Sequence, residues 1–482
     1  MRDRQASYRA SVSGNQTYHK PKSVKNVPGD VSVPGYGWDP MGNTRGGETG
    51  AAVRTPWGDA DDLRSMRMPS GRGNAPEETA RNRRQRLFGA MVAVSSEKGY
   101  EATTIGDLAQ VAGVSRAAFY ELFKDKQDCL IAAVDALVEP TIKVIEEAED
   151  APTGEARLRQ AMEALLGLIA EQPAAAKMGC IEVYAAGPEG EATIDRAVDA
   201  FERFGVSQLN QIPGRQEMAP QMVRAMAGGL LKVIQKRLYS DEAEQLPRLA
   251  EPLADWALSY PAPPEPLRGP KRRGRKARPF AERQRVAHPP ERVLRALAAT
   301  VAEKGYSAAT VAEVIERAGT SYRVFYGHFE GKEEAVLAAL DSGAAQMLAS
   351  VMPAFQRART WPESVRAAYE AMFAFAMEEP EYTRLGAVEM FTVGREALRR
   401  RDGVMEGLEA LLTPGYQLAP DTPPIAAEAI GGAIYALIHD QVKSKGPESL
   451  PELAPTATYM TLAPFLGAEE AYERSVEEAE KW

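Results

Sequence analysis

A long internal repeat constrains the fold of this chain more than any other feature. The segment Glu97-Lys98-Gly99-Tyr100 recurs as Glu303-Lys304-Gly305-Tyr306, a shift of 206 residues. The same shift relates four further pairs: Ala112-Gly113 and Ala318-Gly319, Phe119-Tyr120 and Phe325-Tyr326, Phe123 and Phe329, Lys126 and Lys332. A glycine pair recurs later, Gly228-Gly229 and Gly431-Gly432, at a shift of 203. The repeat therefore predicts two tandem domains of one fold.

Hydrophobic periodicity indicates that both domains are helical. Apolar residues recur at the spacing of a helix face, as in Leu158, Met162, Leu165, Leu166 and Ile169. Alternating β patterns are almost absent, and breaks fall at Pro and Gly positions such as Pro173 and Gly187-Pro188. We therefore expect an all-α fold.

Composition and charge divide the chain into segments. The first 76 residues are polar and rich in Gly, Pro, Ser and Arg, which predicts a disordered tail. A Pro-rich basic stretch separates the two repeats, and nine Lys or Arg lie between Arg268 and Arg285. The predicted segments are a tail (1–76), a first head (77–125) and core (126–260), a linker (261–290), a second head (291–331) and core (332–468), and a C-terminal tail (469–482).

Each repeat opens with the signature of a helix-turn-helix. In the first, Thr104 caps a predicted helix 105–112, Gly113 supplies a sharp turn, and Ser115 caps a helix 116–123. Thr310, Gly319 and Ser321 take these places in the second repeat. The second helix of such a motif enters the major groove of DNA, so we expect two DNA-binding heads.

At these residues the chain resembles the TetR family. The family pattern stands here as Gly99-Tyr100, Thr103-Thr104, Ala112-Gly113-Val114-Ser115, Phe119-Tyr120, Phe123 and Lys126. The second copy is less faithful, since Ala309 replaces the first Thr and Thr320 replaces Val. The resemblance implies two tandem TetR-like units, each a three-helix helix-turn-helix head followed by a helical effector and dimerisation core.

The predicted DNA contacts lie on and beside the two recognition helices. Hydroxyls at helix N-termini suit phosphate, exposed recognition-helix residues suit base edges, and the Tyr and Lys positions resemble phosphate-contacting residues of the family. Capping alone is the alternative for the Thr residues, and a solvated or phosphate-bound side chain for the Arg residues. The predicted residues are Thr104, Ser115, Arg116, Ala117, Tyr120 and Lys126 in the first head, and Thr310, Ser321, Tyr322, Arg323, Tyr326 and Lys332 in the second.

The basic linker is a further candidate for DNA contact. The net charge of the chain is −9, yet local basic clusters set a phosphate-binding surface whatever the total. A second cluster comprises Arg81, Arg83, Arg84 and Arg86. The linker resembles an AT-hook weakly, which leaves phosphate binding, minor-groove insertion and a merely solvated linker open. Its candidate residues are Arg272, Arg273, Arg275 and Lys276.

The region after each head implies, through the resemblance, a pocket for an unknown small-molecule effector. Flexible and aromatic residues in the two cores are candidates for its lining, although packed core is the alternative. A surface or interhelix ion pair is the alternative for the two Glu. The candidates are Met178, Glu182 and Tyr184 in the first unit, and Met377, Glu389 and Phe391 in the second.

Fusion of two units suggests that they pair with each other inside one chain. The last two helices of each unit, about 217–238 with 243–260 and 424–442 with 450–465, are the predicted contact. The recognition helices differ, Arg116-Ala117-Ala118 against Tyr322-Arg323-Val324, so such a pair suits an asymmetric or imperfectly palindromic operator.

The sequence favours a regulator over an enzyme. Its four His are dispersed, its two Cys form no zinc-ligand pattern, and no apolar run of roughly 18 residues predicts a membrane span. We expect a cytoplasmic, ligand-responsive repressor that binds double-stranded DNA, with no cofactor, metal or membrane partner. The alternative is an effector-independent architectural DNA-binding protein.

Overall fold

The computed structural model describes residues 53–68, 75–146, 151–269, 278–286 and 288–476. Helices make up most of this part of the chain. Its strands form a single antiparallel hairpin, β1 Arg54–Thr55 with β2 Gly58–Asp59. The predicted all-α class is therefore confirmed.

The first unit consists of a three-helix head and a six-helix core. The head helices are α1 Pro76–Lys98, α2 Ile105–Ala112 and α3 Arg116–Tyr120. The core helices are α4 Lys126–Glu146, α5 Gly154–Glu171, α6 Pro173–Cys180, α7 Pro188–Leu209, α8 Pro220–Tyr239 and α9 Ala250–Leu258. Short 3-10 helices at Glu182–Ala186 and Ala243–Leu249 connect them.

The second unit repeats this order with one helix added at each end and a short helix, α18, added within the core. Helix α10 Phe280–Val286 precedes the head helices α11 Pro289–Lys304, α12 Val311–Ala318 and α13 Tyr322–His328. The core helices are α14 Lys332–Arg357, α15 Trp361–Glu378, α16 Pro380–Ala387, α17 Arg395–Glu409, α18 Thr413–Leu418, α19 Ala426–Lys445 and α20 Ala454–Leu466, followed by α21 Ala468–Val476. The 3-10 helices are Glu389–Thr392, Ala410–Leu412 and Pro447–Leu453.

The same capping box starts the first helix of each helix-turn-helix. The Asp107 amide donates to Thr104 Oγ1 at 3.2 Å, and the Asp107 carboxylate accepts from the Thr104 amide at 2.8 Å. Thr310 and Glu313 repeat this arrangement at the start of α12. Reciprocal capping satisfies N–H groups that the helix itself leaves free, so both helices begin where the sequence predicts.

Helix α8 of the first unit packs against helix α19 of the second, and small residues allow the two helices to approach closely. A Cβ added to Gly228 would lie 2.2 Å from the Ala436 Cβ, and one added to Gly229 would lie 2.4 Å from the Ala429 carbonyl oxygen. A Cβ on Gly432 would meet Lys232 at 2.7 Å, whereas Gly431 faces its own unit. Three of these four glycines therefore lie where the two helices touch.

Three predicted boundaries differ from the structure. Residues 53–68, expected in the disordered tail, are ordered: Leu63 is fully buried against α1. The predicted linker holds α10, and the predicted C-terminal tail holds most of α21, whose Ala471 is fully buried. These segments are stabilised by packing on another element rather than by their own periodicity, which is why composition alone misplaces them. Residues 1–52 and 69–74 of the predicted tail lie outside the described residues.

One described helix, α14, is long and apolar enough to cross a membrane by length and composition. Here α14 runs from the second head into the second core, where it packs against α11, α15, α16 and α17. Its first turns are buried at Ala335, Val336 and Ala339. Of its apolar window, 28% is buried, so packing in the second unit covers only part of this helix.

Candidate DNA-binding interface and ligand cavities

The first recognition helix, α3, presents an exposed polar face. Its cap Ser115 accepts from the Ala118 amide at 3.1 Å, and Phe119 is fully buried beneath the helix. Ser115, Arg116, Ala117 and Tyr120 are exposed, as is Thr104 at the start of α2. A Cβ on Gly106 would lie 2.8 Å from Arg116 Nη2, so the guanidinium rests over the first turn of α2.

The second recognition helix, α13, presents an aromatic face instead. Tyr322 and Tyr326 stack with ring centroids 6.4 Å apart and planes 12° apart, and both rings are more than half exposed. Arg323 is exposed beside them, as are Ser321 and Thr310. Phe325 is fully buried under this face. The same scaffold thus carries two chemically different surfaces.

Lys126 and Lys332, the two lysines predicted to contact DNA, make contacts within the heads. Lys126 Nζ donates to the Tyr100 carbonyl at 2.9 Å and lies 4.0 Å from the centre of the Tyr100 ring. Lys332 Nζ donates to the Tyr306 carbonyl at 2.7 Å and lies 4.3 Å from that ring. Burial lowers the pKa of both ammonium groups. They hold the turn between the first two head helices, and their DNA contact stays a prediction.

Two arginines of the basic clusters, Arg86 and Arg283, are buried and make contacts within the fold. Arg86 is buried, and its Nη1 donates to the Ala112 carbonyl at 2.6 Å, which satisfies the end of α2. Arg283 is buried on α10, where it binds Glu379 and Glu381 at 2.9 and 2.6 Å. The linker candidates Arg272, Arg273, Arg275 and Lys276 lie outside the described residues.

The two predicted pocket glutamates bind the heads rather than a cavity. Glu182 Oε2 accepts from the Tyr100 amide at 2.7 Å, and its Oε1 accepts from Arg395 Nε of the second unit at 2.8 Å. Glu389 faces the Tyr306 amide in the second head and lies 3.5 Å from Arg384. Burial raises the pKa of the Glu389 carboxyl, while Arg384 and the Tyr306 amide lower it.

Each core also contains a larger cavity. The other four pocket candidates, Met178, Tyr184, Met377 and Phe391, line neither of these two cavities. Tyr184 stacks on Phe391 across the two units, with ring centroids 4.7 Å apart, beside a narrow space of about 80 Å³. Met178 is fully buried, and Met377 is half-buried outside the cavity walls. Helical spacing places a side chain inside a core but does not distinguish packed positions from cavity walls, so these residues stay a prediction as a pocket.

The second core encloses a cavity of about 230 Å³, which we call the second cavity. Its walls come from α14 to α20 and are apolar except at a few positions, among them Arg400 and Arg401. Arg401 is buried between the rings of Phe391 and Tyr435, at 5.6 and 5.3 Å, and donates to Asp402 at 2.8 Å. Charged side chains therefore adjoin an otherwise apolar space.

The first core encloses a cavity of about 440 Å³, which we call the first cavity. Helices α4 to α8 form most of its wall, and Pro56 and Trp57 from the hairpin close one side. None of the described residues that line it carries a charged side chain. Both cavities differ from the predicted pocket residues, although each lies in the region that was predicted to hold one.

Two exposed recognition helices on capped helix-turn-helix heads define a class, the helix-turn-helix proteins. A family model described as "Bacterial regulatory proteins, tetR family" matches residues 89–133 and 293–339, one match in each head. Both heads are therefore similar to the DNA-binding region of this family, and the two matches lie in tandem in one chain.

One curated relative is similar to part of this chain. The HTH-type transcriptional activator FasR of Mycolicibacterium smegmatis is 35% identical over 83 residues. The match covers 17% of this chain and 38% of the relative, so the chain spans well under half of that protein.

Among solved structures, similar chains include two FadR proteins. FadR from Bacillus subtilis in complex with stearoyl-CoA is 20% identical, with 36% of this chain and 97% of that chain covered and a TM-score of 0.34. The fatty acid degradation regulator FadR from Bacillus halodurans is 19% identical, with 39% and 97% covered and a TM-score of 0.35.

Proposed function

We propose that this chain is a sequence-specific DNA-binding transcription regulator in which two units pair within one polypeptide. The observation that carries the proposal is the pair of capped heads with exposed but different recognition faces. Arg116 on the first face suits the O6 and N7 acceptors of guanine, and Tyr322 on the second suits the methyl group of thymine. Such a pair reads an asymmetric or imperfectly palindromic operator. The proposed location is the cytoplasm, where such a regulator meets its operator.

Charge across the contact between the units supports pairing of the first unit with the second. Helix α8 contributes only cations to it: Arg224 binds Asp440 at 2.6 Å, Lys236 binds Glu406 at 2.7 Å, Arg237 binds Glu428 at 2.9 Å, and Lys232 binds Glu409. The carboxylates that face α8 across the contact come from the second unit, and the reverse arrangement occurs beside it, where Arg395 and Lys443 of the second unit bind Glu182 and Glu191 of the first. Complementary signs on the two sides favour association of unlike units.

The repeat shows what would happen if like units paired. The shift of 203 residues that relates the glycine pairs takes Arg237 to Asp440 and Ala225 to Glu428. In a contact between two first units, Arg224 would face Arg237 instead of Asp440. In a contact between two second units, Glu428 would face Asp440. Like charges disfavour both arrangements, so the interface selects against pairing of two like units.

Cavities in both cores support regulation by a small molecule. Ligand sites are concave and mostly apolar with a few polar groups, and both cavities fit this description. Fully packed cores would instead favour the alternative, an architectural DNA-binding protein without effector. Ligand-responsive repression is the proposed mode: an occupied cavity shifts a head and weakens DNA binding.

The test begins with selection of preferred sites from random duplexes, followed by footprinting at several salt concentrations. We expect two different half-motifs, protected by one chain and separated by about one helical turn or more. Arg116→Glu and Arg323→Glu form a matched pair, because each reverses one exposed charge on one head. Each variant should remove protection of one half-motif and leave the other.

Other outcomes contradict parts of the proposal. A palindromic motif protected by two chains would contradict pairing within one chain. Binding that follows salt with no enriched motif would contradict sequence-specific regulation, because phosphate contacts alone produce that behaviour. A reporter gene placed behind the selected site distinguishes repression from activation.

A further inference from the structure

Residues 53–68, which we call the strap, connect the first cavity to the first head. The strap folds as a hairpin followed by turns: Thr55 Oγ1 donates to the Gly58 carbonyl at 2.7 Å, and the Trp57 amide donates to Thr55 Oγ1 at 3.2 Å. Leu63 is fully buried, and a Cβ on Gly89 of α1 would lie 2.8 Å from Leu63 Cδ2. The strap is therefore a packed part of the first unit.

One end of the strap forms a wall of the first cavity. Trp57 at the tip of the hairpin is half-buried, and it faces the cavity together with Pro56. Among the polar side chains of the lining, Gln172 has a buried Oε1 with no hydrogen-bond partner. A buried unpartnered polar atom is costly, so it marks a place where a ligand can bind.

The lining also sets the chemical class of that ligand. A charged group buried in the first cavity would find no charged partner among the described lining residues, and an unpaired buried charge is strongly unfavourable. The walls therefore suit an uncharged apolar molecule with one hydrogen-bonding group for Gln172. The second cavity, which adjoins Arg400 and Arg401, suits a different chemistry.

The other end of the strap lies on the helix-turn-helix. Arg64 Nη2 donates to the Gln110 carbonyl at 3.1 Å, at the end of α2. A Cβ on Gly113 would lie 2.7 Å from Arg64 Cγ, so the Arg64 side chain covers the turn that leads into α3. Asn82 Nδ2 on α1 donates to the Met66 carbonyl at 3.0 Å.

Aromatic side chains also connect the wall of the first cavity to the helix-turn-helix of the first head. The Trp57 ring lies 5.2 Å from Phe88 on α1, Phe88 lies 5.9 Å from Phe123, and Phe123 lies 5.6 Å from Phe119 on α3. These contacts join the cavity wall to the buried side of the recognition helix. A displacement of Trp57 therefore acts on α3 from below as well as through Arg64.

In the described part of the second unit, α10 also joins core and head, since Arg283 binds Glu379 and Glu381 and the Phe280 ring lies 5.8 Å from the Arg317 guanidinium on α12, but no residue of α10 lines the second cavity. The shift of 206 takes Gly89 to Arg295, whose side chain fills the place of the strap contact and binds Glu379. Gly113 corresponds to Gly319, and a Cβ there would meet nothing within 4 Å. No residue before Leu340 lines the second cavity. The connection is a property of the first unit.

We propose that the first cavity is a binding site for an uncharged apolar molecule and that the strap transmits its occupancy to the first head alone. This inference rests on the proposed DNA-binding function only for its effect on an operator. Ligand that displaces Trp57 moves Arg64 and the α2–α3 turn, and the first half-site is released while the second stays bound.

The experiment uses the full chain and the uncharged apolar fluorophore N-phenyl-1-naphthylamine. Gly179→Leu fills the first cavity, and Gly386→Leu, at the matching position, fills the second; an added Cβ meets nothing within 4 Å at either glycine. We expect wild type and Gly386→Leu to bind the probe. Bound probe should weaken the affinity of both for the first half-motif by 10-fold or more. Gly179→Leu should lose this response.

Strap variants separate binding from transmission. Trp57→Ala tests the cavity end of the strap, and it could unfold the head. Two milder variants guard against that outcome. Trp57→Phe keeps a ring against Phe88, and Arg64→Ala removes only the contact at the turn, so both should remain folded. Arg64→Ala should bind the probe as wild type does but lose at least half of the effect on the first half-motif. A full effect in Arg64→Ala and Trp57→Ala would overturn transmission through the strap.

Hydrogen exchange at residues 110–120 gives a readout that needs no operator. Probe should raise exchange there and leave residues 316–326 unchanged, with no change in Gly179→Leu. If DNA selection fails but this exchange difference appears, the inference stands and the proposed function falls. If a motif is bound but the probe changes neither exchange nor footprint, or Gly179→Leu responds as wild type does, the inference falls.

Discussion

The first and second units share a fold, but they connect their cores to their heads differently. In the first unit, Glu182 binds the Tyr100 amide of its own head and Arg395 of the other unit, and the strap adds a further contact. In the second unit, Glu389 faces its own head and Arg384 of its own core. The duplicated scaffold thus keeps the position of a contact while it changes which element the contact joins.

The largest effect is expected when one charge at the contact between the two units is reversed. Arg237→Glu places a carboxylate against Glu428, where both side chains are about nine-tenths buried. Breaking a buried pair typically costs about 3–5 kcal/mol, so we expect a loss of that order in the free energy of unfolding, measured in urea. Glu428→Arg added to this variant should recover part of the loss. Lys445→Glu, in an exposed pair with Glu452, should cost less than about 1 kcal/mol.

A second test compares the two glutamates directly. Glu182→Gln weakens two charge-assisted hydrogen bonds, one to the first head and one across the units, and should cost about 1.5–3 kcal/mol. Glu389→Gln should cost about 0.5–1.5 kcal/mol, because its cation lies farther away at 3.5 Å. Equal losses in thermal or urea unfolding would show that the contact across the units contributes nothing.

The recognition faces offer a third test, on DNA rather than stability. Arg116→Ala should cost about 1–3 kcal/mol of discrimination at one base of the first half-motif and leave the second half-motif unchanged. Tyr322→Ala should act on the second half-motif alone. Deoxyuridine in place of the contacted thymine should reproduce the Tyr322→Ala defect, and additivity of the two would contradict contact with the methyl group. Binding is measured by titration at fixed salt.

The smallest expected effect concerns pH. Because burial raises the pKa of Glu389 above its ordinary value of 4.5, the folded chain holds this proton more tightly than the unfolded chain. Its contribution to stability is therefore largest below that ordinary value and is lost as pH rises through the folded pKa. Glu389→Gln should flatten this decline as pH rises above that ordinary value, measured by urea unfolding at each pH. A decline that persists in the variant assigns it to other groups.

Sequence predicts the heads well because their structure is local. Thr104, Gly113 and Ser115 each act on residues within a few positions, and their roles repeat at Thr310 and Ser321. The repeat itself then predicts two units without any knowledge of packing.

The cavities and the strap could not be predicted in this way. Met178 on α6 and Tyr184 on the following 3-10 helix are buried, but only tertiary packing decides that Gly179 and Cys180 line the cavity instead. The strap is polar in composition, and its order depends on Leu63 and Trp57 meeting α1. A signal was present at Gly89, where the repeat has Arg295: a residue with no side chain in one copy and a long one in the other indicates a different neighbour.

The opposite charges at Arg237 and Asp440, which occupy equivalent places in the repeat, have a consequence for how such a chain changes over generations. In a symmetric assembly of separate subunits, every substitution appears twice and must tolerate its own image. Once both halves are inherited together, a substitution on one side meets a different residue on the other. Each recognition helix is then free to diverge alone, and an operator can change one half at a time without loss of the pair.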